Sequence, residues 1–216
     1  MRKVLIPVAL LLTAAFASAQ GHGGPHFRFA GSDGGSMVQL ALRADVQKDM
    51  GVSGDQKSKL VELEQRMQDA VAANLQEFEK NKESDPNKMR DAIGATGDKF
   101  AAELPTVLTA DQAKRLKQIL IQKAGYGYVQ RKEVQDELGL SDDQRAKIAT
   151  AQADLLKAFD GFRTSSTMDP KMMRKASQEA IEARNQAIAD ALTADQRAKF
   201  EEMKGAPFTF DDEIKG

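Results

Sequence analysis

His22 and His26 are the only two histidines of the chain, and both stand in a glycine-rich stretch near its start. If the peptide bond after Ala19 is cut, the chain begins Gln20-Gly21-His22. A free α-amine, two deprotonated amide nitrogens and an imidazole in third position make a square-planar nitrogen set, which suits Cu(II) or Ni(II). Cyclisation of Gln20 would remove the amine. His22 and His26 alone leave a tetrahedral zinc site short of ligands. The metal expectation therefore rests on Gln20, His22 and His26. Titration of the cleaved protein with Cu(II) is predicted to raise a d–d absorption band that His22→Ala abolishes.

Other chemistries lack residues to carry them. Beyond His26 the chain has neither His nor Cys, so its body cannot assemble a Ser–His or Cys–His pair. Gly125-Tyr126-Gly127-Tyr128 has the glycines of a phosphate-binding loop but neither its following spacing nor a preceding strand. Lys and Arg number 31 against 32 Asp and Glu, for a net charge of −1, and the charges are interspersed. That balance argues against nucleic acid, and the carboxylates read as solvated helix faces. No enzyme is expected. Methionine remains, a flexible thioether that adapts to varied partners. Met67, Met89, Met172 and Met173 are read as a candidate surface for unfolded clients, set against core packing, which their helical spacing favours.

What must position these residues is helical. The chain has 6% aromatic residues, no Trp and no Cys, and Ala, Gln, Lys, Glu and Asp dominate its body. Helix formers of this kind fit an all-α fold. The first 19 residues read as an export signal: Arg2 and Lys3, an apolar run from Val4 to Phe16, then Ala17-Ser18-Ala19. No other stretch approaches the ~20 apolar residues of a membrane span. The expected location is periplasmic or secreted. Residues 20–36, rich in Gly, read as a disordered tail.

The pentapeptide Leu-Thr-Ala-Asp-Gln occurs twice, at 108–112 and at 192–196, an offset of 84 (108 to 192). Around it, Val46–Gln56 resembles Val134–Gln144 at an offset of 88 (46 to 134). The spacing predicts an internal duplication, with one helical repeat over 37–125, a second over 126–205 and a short tail over 206–216. Leu108-Thr109-x-Asp111-Gln112 and Leu192-Thr193-x-Asp195-Gln196 are helix starts. The Thr hydroxyl caps a first-turn N–H, the Asp complements the helix dipole, and the Gln reaches back to the cap. Ser53 with Gln56 and Ser141 with Gln144 repeat the pattern. Gly51 and Gly139 each suit a left-handed stop for the helix before.

Between corners the period is helical. Leu60, Leu63, Met67, Val71, Leu75 and Phe78 form one stripe, and Ile148, Ala151, Leu155, Phe159 and Phe162 another. Asp85-Pro86 and Asp169-Pro170 open further helices. The first is predicted to bury Met89, Ile93, Phe100 and Leu104, and the second Met173, Ala176, Ala180, Ala183 and Ala187. Gly94 and Gly97 mark a predicted bend. Four helices per repeat gives eight, in extended hairpins. Phe208 and Phe210 are expected to tuck onto the bundle.

The four Leu/Val-Ser/Thr-x-Asp-Gln corners, the helical hairpins and the export signal together resemble the periplasmic LTxxQ-motif family, which includes the Spy and CpxP chaperones and the zinc-responsive ZraP. The resemblance spans about Met37 to Lys204. It implies an ATP-independent chaperone or envelope-stress protein that holds unfolded or partly folded envelope proteins in a helical groove. Family chaperones pair two small subunits, each with two motifs. With four motifs, this chain is expected as a single-chain pseudo-dimer or as a dimer. The alternatives are a metal-binding or metal-sensing protein acting through the histidine tail, and a scaffold for one specific partner.

Overall fold

The computed structural model describes residues 33–83, 85–164 and 169–211. They are all-α, with nine α-helices, two 3₁₀ turns and no strand among them. In order these are α1 (Asp33–Ala41), α2 (Ala44–Asp49), α3 (Gly54–Lys80), α4 (Pro86–Ala101), the 3₁₀ turn Leu104–Thr106, α5 (Ala110–Ala124), the 3₁₀ turn Gly125–Gln130, α6 (Lys132–Glu137), α7 (Asp142–Thr164), α8 (Pro170–Ala191) and α9 (Ala194–Met203).

The stops are as local as the starts. At the end of α6, Leu140 N–H donates to the Gln135 carbonyl (3.0 Å) and Gly139 N–H to that of Asp136 (3.1 Å). Gly139 takes φ +64° to make this possible. This is the paired closure of a Schellman motif, and it turns the chain directly into α7. At the end of α2, Val52 N–H bonds the Gln47 carbonyl (2.9 Å) and Gly51 N–H that of Lys48 (3.2 Å). α4 and α8 each begin on an Asp-Pro pair. Asp85 accepts from Asn87 N–H, and Asp169 from the N–H groups of Lys171 and Met172.

α3 and α4 form one hairpin and α7 and α8 a second. The first has a third helix on it. α1 lies along α4 and also meets α3 and α5, and Gly94 and Gly97 of α4 are buried. α4 runs unbroken through both glycines, and their burial fits close packing there. Under this cover Leu60, Leu63, Met67, Phe100 and Leu104 are almost wholly buried. α1 begins at Asp33, inside the segment read as a tail. Asp-Gly-Gly-Ser is a poor helix sequence by itself. The apolar Val38, Leu40 and Ala41 that follow are buried in the core, and packing overrides propensity.

The 3₁₀ turn Gly125–Gln130 packs at the base of the second hairpin, against both α7 and α8. There Arg184 of α8 lies over Gly127, where a Cβ would come 2.3 Å from the guanidinium. This contact lies on the inner side of α8. Arg184, Asn185 and Ile188 turn inward, whereas Ala183 and Ala187, read as inner positions, are exposed. Of the 22 residues of α8 only Ile188 is buried.

The chain closes on itself. Residues 206–211 leave α9 and cross α5 to reach α2, where Asp211 N–H donates to Asp45 Oδ2 (3.1 Å). Asp45 also accepts from Arg43 Nε (3.0 Å) and Nη2 (2.6 Å) and from Val46 N–H (2.9 Å). These bonds, the Arg43 pair foremost, outweigh desolvation and hold the carboxyl at about 2, below its ordinary 3.8. A folded value below the unfolded one stabilises the protein fully above the ordinary value, and that stabilisation is lost as pH falls toward 2. Urea titrations of the native chain and Asp45→Asn are expected to show it. The stability difference between them should shrink by about 2 kcal/mol from about pH 5 to about pH 2, since each tenfold change in proton affinity is worth ~1.4 kcal/mol.

Candidate functional site

The four motif corners meet in two pairs, through contacts that a helix start does not require. The capping box is complete at all four: Ser53 with Gln56, Thr109 with Gln112, Thr193 with Gln196, and Ser141 with Gln144. At the fourth, Gln144 N–H donates to Ser141 Oγ (3.3 Å), and Ser141 N–H to Gln144 Oε1 (3.0 Å). Each glutamine then uses the rest of its amide on another corner. Gln56 Nε2 donates to Gln112 Oε1 (2.7 Å) and to the Val107 carbonyl (2.9 Å). Gln112 Nε2 returns a bond to Gln56 Oε1 (3.2 Å) and reaches the Met50 carbonyl (3.3 Å).

The second pair repeats this. Gln144 Nε2 donates to Gln196 Oε1 (2.6 Å) and to the Ala191 carbonyl (2.8 Å). Gln196 Nε2 donates to Gln144 Oε1 (3.2 Å) and the Leu138 carbonyl (3.4 Å). The leucines before the caps, Leu108 and Leu192, are buried beside these amides. Asp111 and Asp195 are exposed, in the first turns of α5 and α9. Each pair of corners is therefore an amide clasp joining two helix N-termini. The sequence pattern assigns these glutamines to capping alone. The one signal it holds for the clasp is that all four corners carry Gln and none carries Glu, although a capping box accepts either.

The methionines separate into two groups. Met67 is wholly buried in the core cluster and Met89 is half-buried. Met67 therefore presents nothing to a client, because the stripe it shares with Leu60 and Leu63 faces inward. Met172 is 59% exposed and Met173 36%, both in the first turns of α8. Ile181, not singled out from sequence, is 37% exposed on the same helix. Val61 of α3 is the fourth exposed large apolar residue among the described ones. Near the far end of the second hairpin, Phe159 and Phe162 are half-buried, with ring centroids 6.1 Å apart. Closer to its base an open groove runs between α7 and α8, lined by Ala146, Lys147, Thr150, Ala151, Asp154, Ala187, Asp190 and Ala191.

Gln20, His22 and His26 lie outside the described residues. Among the described residues no cluster of three or more His, Cys, Asp or Glu is placed to hold a metal ion, and no helix is long and apolar enough to cross a membrane. Compared with protein-family models, curated proteins and solved structures, the chain matches none.

Proposed function

We propose that this protein binds unfolded or partly folded polypeptides without nucleotide, along the α7–α8 hairpin, as an envelope chaperone of the LTxxQ-motif kind that its corners resemble. One observation carries the reading. Three of the four exposed large apolar side chains lie on α8, a helix that buries a single residue of its own. A two-helix hairpin cannot enclose its seam, so Phe159, Phe162 and Met173 stay partly open to solvent. Met172 and Met173 at the outer end of α8, with Phe159 and Phe162 of α7, are the apolar surface this reading assigns to a partner. Methionine adds adaptability, since it repacks against differing shapes.

The magnitudes favour capture over tight binding. Fully burying one Met or Ile contributes about 1.5–3 kcal/mol. Ordering a disordered client consumes much of the total, which leaves affinities nearer micromolar than nanomolar. Such a holder releases clients without an energy source.

The test is light scattering of a chemically unfolded client, diluted with and without the protein, in chelator and without ATP. Suppression of aggregation near equimolar ratio is the expected result, and no suppression at large excess overturns the reading. Metal binding through Gln20, His22 and His26 is the alternative, supported by their sequence spacing and tested by the Cu(II) titration.

A further inference from the structure

We infer that the face of α5 beneath residues 206–211 is a binding site for extended peptides carrying two aromatic residues two positions apart, and that the chain's own Phe208-Thr209-Phe210 fills it in cis. This site is separate from the α7–α8 hairpin and does not depend on that hairpin's role.

The wall reads main chain. Gln122 Nε2 donates to the carbonyls of Lys204 (2.6 Å) and Ala206 (2.8 Å), and its Oε1 accepts from Phe208 N–H (2.8 Å). One amide thus takes both a carbonyl and an N–H of the passing strand, as a receptor holds an extended peptide whatever its side chains. Arg115 Nη1 donates to the Ala206 carbonyl (2.6 Å). Arg115 is held for this by Asp49, which accepts from its Nε at 2.7 Å.

Selectivity comes from the rings. Residues two positions apart on an extended chain point the same way, and the Phe208 and Phe210 centroids stand 4.8 Å apart, edge to face. Phe210 is 4% exposed, with Arg43 4.8 Å and Lys123 4.3 Å from its centroid. Arg115 lies 6.0 Å from Phe208. Cations over aromatic faces favour Phe, Tyr or Trp over aliphatic residues of equal size.

The occupant and the wall are separate stretches of the chain. Residues 207–210 have no helix or strand of their own, and every wall residue lies between 43 and 123. The segment departs at Gly205, with φ +63° and a Gln118 side chain 2.3 Å from where a Cβ would sit. It can therefore leave without unwinding a helix. Held in cis, it competes at an effective concentration on the order of millimolar.

The experiment uses the full chain with Phe208→Ala and Phe210→Ala, and a fluorescent peptide of the sequence Gly-Ala-Pro-Phe-Thr-Phe-Asp-Asp. By anisotropy the double variant should bind this peptide at least 10-fold more tightly than the native chain does, and a peptide with both Phe changed to Ala should not bind. If the double variant is poorly folded, its melting temperature is followed against peptide concentration, since a ligand of the folded state raises it. A variant that binds no tighter than the native chain and shows no melting shift overturns the inference, as does equal binding of the Ala peptide. Client holding by the same variant is read separately, so failure here and failure of the chaperone reading are distinguishable.

Discussion

Gln112→Glu is expected to destabilise the fold by about 2–3 kcal/mol, although a capping box accepts Glu as readily as Gln. The carboxylate still takes Thr109 N–H, which Gln112 Oε1 accepts at 2.9 Å in the native chain. It still accepts from Gln56 Nε2 as well. What it lacks is a donor. The Met50 carbonyl and Gln56 Oε1 lose the N–H groups that reach them at 3.3 and 3.2 Å, and both oxygens then face a negative charge. A net hydrogen bond contributes about 1 kcal/mol, and a part-buried acceptor left unsatisfied costs more. Thr109→Ala, which removes the cap but leaves the clasp, should cost only about 1 kcal/mol. Urea unfolding at constant m-value measures both. A Gln112→Glu chain within about 0.5 kcal/mol of native would mean that the clasp contributes nothing. Substituting Gln56 and Gln112 singly and together should reveal a coupling energy above about 1 kcal/mol, because the two amides share bonds.

The second large effect is functional. Met172→Ser, Met173→Ser and Ile181→Ser combined should raise the amount of protein needed to suppress client aggregation by at least about 10-fold, each tenfold corresponding to ~1.4 kcal/mol of lost contact. The three side chains are 59%, 36% and 37% exposed, so the folded state gives up little when they are shortened. Surface changes of this kind usually stay within about 0.5 kcal/mol. The expected pattern is therefore an unchanged thermal midpoint with lost holding. A triple variant that protects clients as well as the native chain would move the binding face elsewhere. Loss of holding together with a collapsed melting temperature would show that these residues pack after all.

Much of the fold is legible in the sequence because it is written locally. The caps at Ser53, Thr109 and Thr193 need only residues three apart, and the stops at Gly51 and Gly139 need only their own turn. The stripes of α3 and α7 follow from the helical period. What could not be read is settled across distance. Gln56 and Gln112 are 56 positions apart in the chain, and nothing in either pentapeptide names its partner. α1 has a glycine-rich start that argues against a helix, and it forms one where α4 offers buried glycines. The inner edge of α8 carries Arg184, packed on Gly127, and Ile188 in place of the predicted Ala183 and Ala187, and an alanine-rich helix has no strong stripe from which to read it. The methionines look alike in sequence. Burial divides them, with Met67 inside and Met172 outside.

The α1 cover has a mechanical corollary. α1 splints the first hairpin along α4, whereas the 3₁₀ turn Gly125–Gln130 and the clasp of Gln144 with Gln196 hold the second at its base. Local opening needs least free energy where few apolar contacts must break, so the outer part of α8 is the compliant limb and α4 the stiff one. Amide hydrogens should exchange sooner in the outer turns of α8 than at matching depth in α4. On the proposed reading, a polypeptide seated on α8 is carried on the limb that can flex to its shape, while the splinted limb and the two clasps keep the frame from yielding with it.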